Sequence, residues 1–266
     1  MKDPFAPLVR PVKKHTGKNA RPLNQPNPYG ATMYQAILFD LDGTLLGLNN
    51  TLFLRVYLQA MAPKIAPYFN GHDFSRPILA GTKAMMQSQG RHASLRDLFI
   101  ETFDRHSPVP FAELETAFND FYQHEFNQVR AIATRLPLSL PILQAAAHHA
   151  NKIVLATIPL FPAIAIQQRC RWAGIDGFPF TLITSFENMR YSKPNPAYYR
   201  EIAHHLAVPP DECLMIGNDH IDDLSAAAIG METFLVLDDE LNAGKGRYTP
   251  TYSGYLADLP MFLENL

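Results

Sequence analysis

The chain has 266 residues, 47% of them hydrophobic and 18% charged. That is too long and too apolar for a disordered tail or a disulfide-stapled mini-protein, and long enough to bury one large core or two smaller ones. The formal charge of −2 excludes the strong field of a nucleic-acid binder or an anionic-membrane binder, so neither partner is expected.

Residues 1–33 carry six Lys or Arg against the single acid Asp3, six prolines and no hydrophobic period. They are expected to lack stable structure, either as a basic arm for a polyanion or, the favoured reading, as a floppy leader preceding a natural start at Met33. Tyr34 to Phe39 (YQAILF) is a short apolar run that stops at Asp40, which predicts a buried strand. From about Asn49 to Arg135 the texture is helical. Leu52, Phe53, Val56, Tyr57 and Ala60 form one stripe, Leu95, Leu98, Phe99 and Phe103 a second, and Leu114, Phe118, Phe121, Tyr122 and Phe126 a third. No strand is expected in this block, and the prolines at 137 and 141 close it.

Beyond it the pattern alternates. Strands are predicted at 152–157, 181–184, 213–216 and 233–237, with helices at 163–173, 195–206 and 222–229; Gly174 and Gly230 end two of the helices. Alternating strands and helices imply right-handed crossovers and a mostly parallel sheet, hence the α/β class. The helical block interrupts that sheet after its first strand. The expected layout is a core of 34–48 and 136–266 with an all-helical insertion at 49–135.

Ligands of open α/β sheets bind beyond the carboxyl ends of the strands. The first strand ends in Asp40-Leu41-Asp42-Gly43-Thr44, where an i, i+2 spacing in extended chain aims both aspartates the same way. The second ends at Thr157. The third is followed by Ser192-Lys193-Pro194-Asn195, and the fourth by Gly217-Asn218-Asp219-His220-Ile221-Asp222-Asp223. Carboxylates gathered at one edge repel unless a hard cation sits among them, and Mg²⁺ suits oxygen ligands. An ion beside Lys193 would make a cationic pocket for phosphate, in which one aspartate attacks phosphorus. Asp222 is read as the N-cap of its helix and His220 as an occasional substrate contact.

These four segments, in this order over roughly residues 34–260, resemble the haloacid dehalogenase (HAD) superfamily, whose DxDGT signature is matched by residues 40–44. The resemblance implies a Rossmann-like parallel sheet with a helical cap. It implies that Asp40 is the nucleophile forming an aspartyl-phosphate, and that Asp42 is general acid and then base. Thr157, the adjacent Ile158 and Lys193 would bind the phosphoryl group. Mg²⁺ would be held by Asp40, Asp42 and Asp219. The fourth segment departs from the commonest form, with Asn218 where many members have aspartate, so Asn218 and Asp223 are secondary ligand candidates.

A cap after the first strand implies a small phosphorylated metabolite as substrate. The stretch Leu45–Asn50, with Gly47 and two asparagines, is a candidate hinge. Lys83, Arg91, His92 and Arg96 are candidate cations for a second anionic group, although a solvated polar face explains them as well. The leading expectation is a Mg²⁺-dependent phosphatase. Alternatives are a sugar phosphomutase of the β-phosphoglucomutase type or a non-catalytic binding protein. The dehalogenase reaction is discounted because it needs no acid at the position of Asp42. Two cysteines without metal-ligand spacing, and no apolar run of membrane length, point to a cytoplasmic protein.

Overall fold

The computed structural model describes residues 34–266, so the expectation of a structureless segment at 1–33 lies outside the described residues. Strand β1 (Ala36–Phe39) is buried along its whole length, as a central strand covered on both faces must be. Each of Ile37, Leu38 and Phe39 contributes roughly 1.5–3 kcal/mol by that burial. The chain then turns into β2 (Leu46–Leu48) and enters helices α1 (Asn50–Ile65), α2 (Ser75–Met86), α3 (Leu95–His106) and α4 (Phe111–Gln123). A 3₁₀ segment (Glu125–Ile132) leads to β3 (Ala133–Arg135), which pairs antiparallel with β2. The block 49–135 is therefore helical except at its closing residues. Within the candidate hinge at Leu45–Asn50, Leu46–Leu48 form one arm of a two-stranded ribbon, with Leu46 opposite Arg135. Nothing flags a strand of three residues whose only support is its partner nearly ninety positions away.

The second part begins with α5 (Ser139–His149), an element the sequence reading lacks. Pro141 lies in its first turn, where a missing N–H costs nothing, so that proline opens a helix rather than closing a block. Then follow β4 (Lys152–Leu155), α6 (Ala163–Ala173), β5 (Leu182–Ile183), α7 (Pro196–Leu206), β6 (Cys213–Gly217), β7 (Glu232–Val236), β8 (Tyr252–Gly254) and α8 (Leu259–Glu264). Local chemistry explains the boundaries. Gly174 ends α6 in the left-handed conformation (φ 74°), and the Asn195 side chain caps α7 by accepting from Ala197 N at 3.0 Å. The expected helix at 222–229 is a 3₁₀ segment, Leu224–Ile229. Among the described residues no helix is long and apolar enough to cross a membrane.

The six-stranded sheet is parallel throughout, in the order β5-β4-β1-β6-β7-β8. β1 lies between β4 and β6, so successive connections leave it in opposite directions. That reversal opens a crevice at the carboxyl ends of the three central strands. Phe39 is in register with both Leu155 and Ile216, which brings Asp40, Ala156 and Gly217 to one level at the mouth of that crevice.

Gly43 is required at the turn that follows. Its φ is +91°, and a Cβ there would lie 2.2 Å from the side-chain nitrogen of Asn218. Gly43→Ala is expected to lose on the order of 2–4 kcal/mol from combined backbone strain and overpacking, read as a fall in denaturation midpoint. An unchanged midpoint would show that this turn can relax.

Candidate active site

Asp40 extends directly from β1, and its amide donates to Ile216 O at 2.9 Å, continuing the sheet by one residue. Lys193 comes from the loop before α7. Its ammonium, with no exposed surface, bonds Asp40 Oδ1 at 2.8 Å and Asp223 Oδ1 at 2.7 Å. Asp223 is clamped on its other side, with Oδ2 accepting from Asp219 N at 2.9 Å. Burial pushes the Asp40 and Asp223 carboxyls above the ordinary range, and Lys193 pulls both back. Burial also works to lower Lys193, but Asp223 and Asp40 outweigh it and hold the amine charged.

The residues at the strand ends meet around one cavity of about 170 Å³. Its wall includes Asp40, Asp42, Thr157, Ile158, Asn218, Asp219, Asp222 and Asp223, with Asn50 from α1. Thr157 is anchored by its carbonyl, which accepts from Tyr198 Oη at 2.8 Å and Thr184 Oγ1 at 2.9 Å. The Ile158 N–H donates to no protein acceptor among the described residues. Asp219 Oδ1 accepts from the amides of Ile221 (2.7 Å) and Asp222 (3.0 Å), and Oδ2 from Asn242 Nδ2 at 2.8 Å. Asn218 bridges Thr44 Oγ1 (3.3 Å) and Asp239 O (2.6 Å).

Three features depart from the sequence reading. Asp222 caps no helix; it lines the cavity, and burial, then Asp219 and Asp223, push its carboxyl up to about 7. His220 pairs with Glu240 and is not part of the wall. Of the four candidate cations, His92 bonds Glu101 at 2.6 Å, Arg96 bonds Glu115, and neither these two nor Lys83 and Arg91 reach this cavity.

Arg169 is a buried side chain at the site that the sequence reading missed. It is buried on α6, its Nη1 paired with Asp42 Oδ2, its guanidinium carbon 5.0 Å from the centre of the Phe161 ring. The signal was present: Ala165, Ile166, Arg169, Trp172 and Ala173 fall on one helical stripe, and a charge in a buried stripe needs a buried counter-charge. Burial raises the Asp42 carboxyl, and Arg169 opposes that rise. Asp42 Oδ1 has no protein partner among the described residues.

The wall offers only oxygen donors, which suits a hard cation. Among the described residues no three carboxylate, histidine or cysteine side chains form a ready-made cage. Mg²⁺ needs none, since it is held by one or two carboxylates with water filling the rest of its sphere. Burial, then Asp219 and Asp223, hold the Asp222 carboxyl up, and a cation against this wall would relieve that crowding.

A family model described as haloacid dehalogenase-like hydrolase matches residues 34–230, about three-quarters of the chain. A pyrophosphatase PpaX from Oceanobacillus iheyensis is 24% identical over 204 residues, covering 76% of this chain and 83% of that protein. Among solved structures, a 2-haloacid dehalogenase from Pseudomonas syringae pv. Tomato DC3000 superposes with a TM-score of 0.59 at 16% identity, covering 87% of this chain and 99% of that one. A predicted phosphoglycolate phosphatase from Haemophilus somnus 129PT gives 0.53 at 18% identity, covering 86% and 98%.

Proposed function

The chain belongs to the haloacid dehalogenase-like hydrolase family, and from that premise we propose that it is a Mg²⁺-dependent phosphatase of a small phosphorylated metabolite, acting through an aspartyl-phosphate on Asp40. The observation that carries the reading is the pair of carboxylates, Asp40 and Asp42, on one cavity with an ammonium fixed against the first. A halide leaves as a stable anion and needs no proton. An alkoxide leaving from phosphorus does, and Asp42 supplies a carboxyl for it. The names of the pyrophosphatase and phosphoglycolate phosphatase relatives point the same way. The free, buried thiols of Cys170 and Cys213 support a reducing, cytoplasmic setting.

In this reading an Asp40 carboxylate oxygen attacks phosphorus, the bond to the ester oxygen breaks, and protonated Asp42 delivers its proton to that oxygen. Asp42, now a carboxylate, takes a proton from water as the water attacks phosphorus. Phosphate leaves and Asp40 is restored. Lys193 orients Asp40 and offsets its charge, while the Thr157 hydroxyl and Ile158 N–H face the phosphoryl oxygens. Asp40, the backbone carbonyl of Asp42 and Asp219 would hold Mg²⁺, with Asn218 and Asp223 behind them and Asp222 as a further donor. When bound, the ion supplies electrostatic neutralisation of phosphoryl oxygens. The helices between β2 and β3 act as a cap that excludes water. The test is free-phosphate release from a panel of phosphate esters with Mg²⁺ or with chelator. Transfer to a second sugar hydroxyl without release would mark a phosphomutase instead, and no reaction with any ester would sink the reading.

Two further outcomes follow. Arg169→Gln removes the charge that holds Asp42 down, so the limb of the pH–rate profile governed by Asp42 moves up by about 1–3 pH units, while Arg169→Lys keeps it near wild type. A profile identical in all three proteins would assign Arg169 to packing alone. The second outcome concerns stability. The Asp222 carboxyl titrates at about 7 in the fold and at about 4 when unfolded, so the metal-free protein loses stability as pH rises across that window. Mg²⁺ should therefore raise the melting temperature more at about pH 8 than at about pH 5, and Asp222→Asn should stabilise the metal-free protein at the higher pH. Equal shifts at both pH values would remove Asp222 from the metal's surroundings.

A further inference from the structure

A second cavity, of about 290 Å³, lies between the inserted helices and the sheet edge. Its wall joins the two parts of the molecule, with Leu54, Tyr57, Phe99 and Phe118 on the helical side and Phe161 and Phe186 on the other. Arg96 is the single cation of that wall among the described residues, and Glu115, also on the wall, already neutralises it.

The two cavities are neighbours by construction. Helix α1 passes both, with Asn50 on the carboxylate cavity and Leu54 on the aromatic one, about 6 Å further along the axis. The loop after β4 does the same, with Ile158 on the first wall and Phe161 on the second. Arg169 spans the partition, bonded to Asp42 on one side and lying against the Phe161 ring on the other. Asp42, the carboxyl assigned to protonate the departing oxygen, lies on the first wall and is joined through Arg169 to Phe161 of the second.

We infer that the departing group is an uncharged apolar body held in this second cavity, so that the substrates are phosphate monoesters of hydrophobic alcohols. This rests on the phosphatase reading above. The space admits on the order of ten water-sized groups, enough for an aryl-alkyl or medium alkyl chain. Such a body exchanges water for aromatic faces, which is favourable in proportion to the area covered. A second phosphate or a carboxylate would lose its hydration there and find no unpaired cation in return, and the wall's own carboxylates, Glu115 and Glu187, would repel it. Discrimination against them is thus built from desolvation rather than from a specific clash.

The experiment compares kcat/KM of the Mg²⁺-loaded protein for octyl phosphate and phenylpropyl phosphate with that for glycerol phosphate and phosphoglycolate, all esters of alkyl alcohols. The apolar esters are expected to win by roughly 50-fold. Leu54 and Leu79 line this cavity yet are 40% and 39% exposed, so a charge at either alters the wall without emptying a core position. In Leu54→Glu and in Leu79→Glu the octyl-to-glycerol ratio is expected to fall about tenfold or more. Equal use of polar and apolar esters by wild type, or a ratio unmoved in both variants, overturns the apolar substrate class and leaves the phosphatase reading standing. No turnover of any ester overturns both.

Discussion

Asp40→Asn is expected to lower phosphate release by at least about 10⁴-fold while leaving the protein folded. Asparagine has nearly the shape of aspartate and can still accept from Lys193, which remains paired with Asp223 at 2.7 Å. The sheet position is unaffected, because the Asp40 amide bonds Ile216 O whatever the side chain. What disappears is the nucleophilic oxygen anion, and no neighbour stands in for it: Asp223 is held by Lys193 and the Asp219 amide, and Asp42 by Arg169. The measurement is single-turnover and steady-state release of phosphate, with circular dichroism to establish that the fold persists. Wild-type protein quenched during turnover should carry acid-labile phosphate on Asp40. Retained activity in the variant, or no adduct in the wild type, would replace covalent catalysis by direct attack of water.

The largest effect on stability is expected from Lys193→Met. This amine is fully enclosed and is the shared partner of two buried carboxylates. An apolar replacement leaves Asp40 and Asp223 facing each other without a counter-charge, a loss of roughly 3–5 kcal/mol. The sign with pH is definite. Both carboxyls already lie above their ordinary range through burial, and removal of the ammonium raises them further. A carboxyl whose folded pKa exceeds its unfolded value costs stability as pH rises from the unfolded toward the folded value, so the penalty is smallest in acid and grows toward neutrality. Chemical denaturation of wild type and variant at several pH values measures it. Adding Asp223→Asn to Lys193→Met should recover part of the loss, because one of the two stranded charges is then gone. A penalty independent of pH, unrelieved by the second substitution, would mean that Lys193 contributes packing rather than charge.

The inserted helices and the sheet meet in two chemically different spaces, one lined by carboxylates and one by aromatic rings. Arg169, buried behind both, pairs with Asp42 of the first wall and lies against Phe161 of the second. Among the described residues its guanidinium leaves Nε and Nη2 without protein partners, a desolvation cost that the fold sustains beside the site rather than in a distant core. Such a cost is consistent with a positioning role for Arg169 toward Asp42, and the pH profile of the glutamine and lysine variants separates that role from simple packing.

The strand–helix alternation, the termini of α6 and α7 and the motif at residues 40–44 were legible in the sequence, because they rest on short-range physics. Hydrophobic runs set strands, Gly174 and Asn195 set helix ends, and strand-end polar residues in a parallel sheet must point to one edge. The ribbon of β2 and β3, the short β8 and the 3₁₀ turn after Asp223 were not, since partners distant in sequence decide them. The same holds within the site. Sequence spacing placed Asp40 and Asp42 together, but only the fold decided that Lys193 bridges Asp40 to Asp223, that Asp222 faces the cavity instead of capping a helix, and that Arg169 reaches Asp42 from 127 positions away. Local backbone preference is encoded residue by residue. The pairing of buried charges depends on which side chains the packed helices and strands bring within a few ångströms, and that is determined only when the whole chain closes.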